Sequence, residues 1–184
     1  MKRGILLILA VFFISITTKA QTNEINWMSM NEAIAAQAKN PKKIIMDAYT
    51  NWCGPCKLLD KNTFQNPDVV KFINEHFYAV KFNAEGDEAI NYKDQDFANP
   101  NYDPSKSNSR NSQHQLAQAL QIRAYPTIVF FDENGDTLVP LPGYKTPSQL
   151  EIYLKLFLND RHKDIKTQEA WDDYQKSFQF EFKG

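Results

Sequence analysis

From residue 27 onward the apolar positions of this chain alternate between helical spacing and strand spacing. Ser29, with Glu32 three residues on, has the form of a capping box and opens a helix through Ala33, Ile34 and Ala38 that closes near Asn40–Pro41. Residues 43–49 (KIIMDAY) are apolar on both alternating sets, as in a strand buried on two faces. Asn66–Pro67–Asp68 supplies a cap, a first-turn proline and an acid at the positive end of a dipole, with Val69, Val70, Phe72 and Ile73 as the apolar face. Residues 77–83 (FYAVKFN) form the next strand. Ser112 is expected to cap a helix carrying Leu116, Ala117 and Leu120. Residues 127–132 (TIVFFD) are a strand, and the turn at 133–136 leads into a hairpin partner at 137–139. Thr146–Pro147 starts a last helix with Leu150, Tyr153, Leu154, Phe157 and Leu158 on one face. This order predicts an α/β fold with a mixed central sheet and helices on both faces.

Two stretches break the pattern. Residues 84–111 are rich in Asn, Asp and Ser, contain Pro100 and Pro104, and have no period. Residues 160–184 form a charged C-terminal extension ending in Phe178, Phe180 and Phe182 between polar neighbours. A short edge strand and a docked arm both fit it.

The first twenty residues have a different character. Lys2 and Arg3 precede an apolar run at 4–16, and the small residues Thr18 and Ala20 follow where a signal peptidase reads. Residues 1–20 are therefore expected to be a signal peptide cut after Ala20, leaving a domain at 21–184 that is exported, periplasmic or secreted. A membrane anchor is the alternative, but the run is well short of the ~20 apolar residues that spanning requires. No cysteine lies near the cut, which argues against a lipoprotein. Losing Lys2, Arg3 and Lys19 removes three positive charges and no acid, moving the formal charge from −1 to −4. Such a domain has no basic surplus for nucleic acid or anionic lipid. About 160 residues make one domain able to bury a core unaided, so its two cysteines are not needed as a brace.

The cysteines stand in Trp52–Cys53–Gly54–Pro55–Cys56, between the buried strand and a helical segment at 57–62. With the helix starting at the first cysteine, both sulfurs lie in its first turn and bridge with little chain movement. Cys53 is expected at the exposed end, where unpaired N–H groups and the dipole bring a thiol from about 8.5 to near 7 or below. Its thiolate would attack a substrate disulfide, and Cys56 would resolve the mixed disulfide. Gly54 is expected to ease a tight turn, and Pro55 to preset a helical φ without wasting an N–H.

WCGPCK resembles the active site of the thioredoxin family, and other matches extend the resemblance from about Trp27 to Leu158. Within the family the chain is similar to exported thioredoxin-like proteins and to the C-terminal domain of the membrane thiol–disulfide interchange protein. The resemblance implies that Asp47 is the buried acid handling the proton of Cys56, and that Lys81 is the lysine beside it. It implies that Arg123–Ala124–Tyr125–Pro126–Thr127 holds a cis-proline opposite the cysteines, and that Gly143 matches a further family glycine. Trp52, Gly54, Pro55, Tyr125 and Pro126 would then contact substrate. Tyr125 departs from the small or aliphatic residue often found there and would narrow or redirect the groove. Residues 84–111 are a larger departure, because the family's connection is short. They leave the sheet at the active-site edge, either as a solvated loop or, docked by Tyr92, Phe97 and Tyr102, as a wall or lid beside Cys53 that limits partners.

Blander readings stand beside these. Asp47 could be a solvated strand-end acid, although Ile44, Ile45, Met46 and Ala48 predict burial and a raised pKa. Lys81 could reach into solvent, and Trp52 could be ordinary core. A structural disulfide across so short a loop would restrain the unfolded chain little. Zinc wants four ligands, and His76, His114 and His162 show no paired spacing. His76 and His162 read as surface residues near helix ends, with His114 alone near the active edge. Haem attachment needs a histidine where Lys57 stands. No metal and no organic cofactor is expected.

Function divides into two classes. One is an enzyme exchanging disulfides with proteins or peptides, as a reductant because Gly-Pro matches reducing family members near about −270 mV. An exported reductant would draw electrons from a membrane-embedded thiol donor; an oxidase or isomerase is the variant of this class. The other class is a module that holds an extended peptide without turnover.

Overall fold

The computed structural model describes residues 23–183; the expected signal peptide at 1–20 lies outside the described residues. In chain order the elements are β1 (Trp27–Met28), α1 (Met30–Lys39), β2 (Ile44–Tyr49), α2 (Gly54–Leu59), α3 (Pro67–His76), β3 (Tyr78–Asn83), β4 (Ile90–Tyr92), β5 (Gln95–Phe97), α4 (Gln115–Ala119), β6 (Thr127–Phe131), β7 (Thr137–Pro142), α5 (Pro147–Leu158) and α6 (Gln168–Ser177). The main sheet is mixed, in the order β1-β3-β2-β6-β7, with β2 parallel to β3 and antiparallel to β6.

Side-chain alternation along β2 divides the layers. Ile45 joins a core with Val69, Val70 and Ile73 of α3 and Leu150, Leu154 and Phe157 of α5. Ile44, Met46 and Ala48 join another, with Met30 and Ala33 of α1 and Leu116 and Ala117 of α4. Helices therefore cover both faces, and Asp47 shares the parity of Ile45, on the α3–α5 side. The caps at Ser29–Glu32, Asn66 and Thr146–Gln149 fix where these helices begin.

One expectation needs correction, and two open readings are resolved. Ser112 does not cap α4: the helix starts at Gln115 and His114 is its cap, its Nδ1 accepting the Leu116 N–H at 3.0 Å. Ser112 instead donates to Asn99 Oδ1 at 2.7 Å. Residues 84–111 are docked rather than a solvated loop. A β4–β5 hairpin turns at Lys93 and Asp94, both with positive φ, and buries Ile90 and Phe97 in the α1 core. The extension contains α6, followed by a docked arm rather than an edge strand. The carboxylate of buried Glu151 accepts the Glu181 and Phe182 N–H groups, and Phe182 packs on Phe72.

Candidate active site

Cys53 is the N-cap of α2 and Cys56 lies in the first turn, with the Cys56 N–H directed at Cys53 Sγ at 3.1 Å. The two are joined by a disulfide with Cα atoms 5.3 Å apart. The expected exposure of Cys53 is not found: both cysteines are 2% exposed. Around the buried sulfurs Gly54, Pro55 and Leu58 are exposed. Gly54 takes no positive φ, and a Cβ there would meet nothing within 4 Å among the described residues, so neither the backbone conformation nor close packing demands a glycine.

Asp47 and Lys81 are register partners across β2 and β3. Asp47 is 0% exposed, and Lys81 Nζ donates to its Oδ2 at 2.7 Å while Oδ1 has no hydrogen-bond partner among the described residues. Burial pushes the Asp47 carboxyl up to about 6, against the opposing pull of the Lys81 ammonium. For Lys81, burial acts to lower the pKa, but the facing carboxylates outweigh it and the value is raised. Lys81 also donates to Asp60, and its ammonium lies 4.9 Å, 5.0 Å and 5.5 Å from the ring centroids of Trp27, Tyr49 and Phe64. A solvated Asp47 and a Lys81 reaching freely into solvent are both ruled out by these contacts. Asp60 owes its place to α2, which continues into a wide π-helical turn at Asp60–Phe64.

The Tyr125–Pro126 peptide bond is cis, and the Pro126 carbonyl accepts the Gly143 N–H at 2.8 Å. Gly143 has φ +83°, which explains a glycine there. Trp52 is no core residue. Its ring meets Tyr125 edge-on at 6.1 Å, and its indole N–H donates to Glu85 Oε2 at 2.7 Å. The same oxygen accepts the Asn111 N–H at 2.9 Å, and Asn51 Nδ2 donates to the Ser107 carbonyl at 2.7 Å. The insertion at 84–111 thus docks against the two residues preceding Cys53. Arg110 completes the contact, its guanidinium 4.7 Å from the Trp52 ring centroid.

The histidines do not gather. Buried His114 uses Nδ1 for the α4 cap and Nε2 on the Glu88 carbonyl at 2.7 Å, and burial lowers its pKa. His162 packs against Phe157 and His76 against Phe72. Among the described residues no three His, Cys, Asp or Glu side chains converge as metal ligands, and no helix is long and apolar enough to cross a membrane.

Glu85, Arg110, Asp60 and the capping role of His114 escaped the sequence reading. Only Asp60 carried a signal, standing four residues after Cys56 and hence on the same helical face.

A family model for the thioredoxin-like domain matches residues 30–158, from α1 to the end of α5. The thiol:disulfide interchange protein DsbD of Pectobacterium atrosepticum is 26% identical over 146 residues, which is 77% of this chain and 21% of that protein. The chain thus spans about a fifth of that curated relative's length. Among solved structures, a thioredoxin-fold protein from Helicobacter pylori has a TM-score of 0.54 at 20% identity, covering 84% of this chain and 89% of that one. A thioredoxin from Thermus thermophilus has a TM-score of 0.52 at 17% identity, covering 78% and 89%. At these identities the likeness of the two structures is one of fold.

Proposed function

We propose that this chain, which belongs to the thioredoxin-like domain family, is a thiol–disulfide oxidoreductase acting through Cys53 and Cys56. The observation that carries the proposal is a bridged cysteine pair in the first turn of α2, with a buried carboxyl of raised pKa on the neighbouring strand. In the reduced protein the Cys53 thiolate attacks a substrate disulfide, forming a mixed disulfide and releasing one substrate thiolate. Cys56 then attacks Cys53 Sγ, releasing the second substrate thiol and leaving the Cys53–Cys56 disulfide. Two electrons pass to the substrate.

Each residue has a part in that sequence. The Cys56 N–H and the start of α2 favour negative charge on Cys53 Sγ. Asp47 takes the Cys56 proton as it attacks, a task that suits a carboxyl titrating at about 6. Lys81 holds that carboxylate. Trp52, Gly54, Pro55, Tyr125 and Pro126 contact the substrate chain, and no metal or organic cofactor takes part.

The direction proposed is reduction, in line with Gly54–Pro55 between the cysteines. The chain works outside the cytoplasm and is recharged by a membrane-embedded thiol donor. Equilibration of the Cys53–Cys56 couple with glutathione tests the direction. A potential near about −270 mV is expected, and one above about −180 mV would assign an oxidase or isomerase instead.

A further inference from the structure

Both reacting sulfurs are almost wholly covered. A partner's disulfide therefore reaches them only past the groups at the rim, and those groups sort the partners. One part of the rim is a ladder of three side chains from three separate segments. Arg110 from the insertion lies over Trp52, and Trp52 meets Tyr125 edge-on beside Pro126.

The ladder is fixed from behind. Glu85 Oε2 accepts both the Trp52 indole N–H and the Asn111 N–H, so one carboxylate oxygen holds the ring and the residue after Arg110. Three residues upstream, the Ser107 carbonyl is held by Asn51. The backbone on either side of Arg110 is tied to the segment that leads into Cys53. Its side chain is exposed, and among the described residues it makes no ion pair and no hydrogen bond that would occupy its N–H groups. Glu85, the carboxylate on this wall, is already engaged by two other donors. A planar guanidinium stacked on an indole keeps its N–H edge free for a carboxylate, which a lysine ammonium does less well. The domain is otherwise mildly acidic, so a cation set here runs against its overall charge.

We infer that Arg110 is a specificity-determining residue, pairing with an Asp or Glu side chain carried by the partner next to its reacting cysteine. This rests on the oxidoreductase reading for its setting, and it assigns the insertion a purpose that the fold alone does not require. The pairing is a contact of exposed groups, so its effect is moderate and screened by salt.

The test uses three synthetic disulfide peptides alike except for Glu, Gln or Lys beside the cysteine. It also uses linear versions of each with Ser for Cys, and the unmutated chain against R110Q and R110K. Exchange rates should favour the Glu peptide over the Gln peptide by about three- to fivefold at low salt. That ratio should shrink in high salt, fall to near one in R110Q and survive in part in R110K. Calorimetric affinities for the linear peptides should show the same order without any turnover. Failure to exchange with all three peptides would refute the oxidoreductase reading, while the linear peptides would still decide the role of Arg110. A Glu-to-Gln ratio near one in the unmutated chain, or an equal Glu preference in R110Q, would overturn the inference.

Discussion

Lys81 stands directly opposite Asp47 in the parallel β2–β3 register and donates to its Oδ2 at 2.7 Å. A buried carboxylate with one bond from a cation is cheaper than an unpaired one, but the site still favours the neutral acid. Its pKa is raised from 3.8 to about 6.

The stability consequence has a definite sign. A carboxyl whose folded pKa exceeds its unfolded value stabilises the fold fully below the unfolded value. That contribution is lost as pH rises through about 6. Asp47→Asn should therefore gain stability over the unmutated protein by about 2 kcal/mol more at pH 8 than at pH 4.5, as read by urea unfolding. Equal gains at both pH values would contradict the burial argument. The same variant should slow the release of the mixed disulfide, because Cys56 loses its base.

Asp60 shares Lys81 with Asp47. Asp60→Asn removes a nearby negative charge and leaves Lys81 to Asp47 alone; both changes lower the Asp47 pKa. The pH midpoint of exchange should move below about 6. A midpoint that stays put, or rises, would show that Asp60 does not act through Lys81.

Much of this architecture was legible in the chain. KIIMDAY, the Asn66–Pro67 cap and the TIVFFD strand are local signals, and they carry the sheet, its helices and the dithiol. The burial of Asp47 was legible for the same reason, from the apolar residues around it, and its place in the site from the resemblance. The insertion was legible only in part: Tyr92 and Phe97 pointed to docking, but its apolar residues are too few and too far apart to show the β4–β5 hairpin, and Asn99 and Glu85 act through contacts distant in sequence. α6 did carry a signal, with Trp171, Tyr174 and Phe178 at helical spacing, but the charges around it hid it. The burial of Cys53 could not be read from its place at a helix start, since burial is set by tertiary packing.

His114 fixes the junction between the insertion and α4. Its Nδ1 accepts the Leu116 N–H, so protonation removes the cap and buries a charge. Its folded pKa lies below the ordinary 6.5, so the protein should lose stability as pH falls below that value. Comparing urea midpoints with His114→Asn at pH 7.5 and pH 5 checks this. The unmutated protein should weaken more steeply over that interval; parallel losses would rule the histidine out.

Glu85 holds two donors on one oxygen. Glu85→Ala should cost about 1–2 kcal/mol and speed amide exchange at Asn111, while Glu85→Gln keeps an acceptor and should cost less. Removing residues 88–109 would be a poor substitute, because it would strip Ile90 and Phe97 from the core. Unchanged exchange at Asn111 in Glu85→Ala would mean that the insertion is held elsewhere.

The central claim is that Cys53 attacks and Cys56 resolves, and trapping with Cys56→Ser tests it most directly. Incubated with a disulfide-bonded peptide, that variant should accumulate a mixed disulfide at Cys53, identified by mass spectrometry and released by added thiol. Absence of the adduct, with the same peptide bound equally well by the protein lacking both cysteines, would contradict the claim and leave a peptide-binding module.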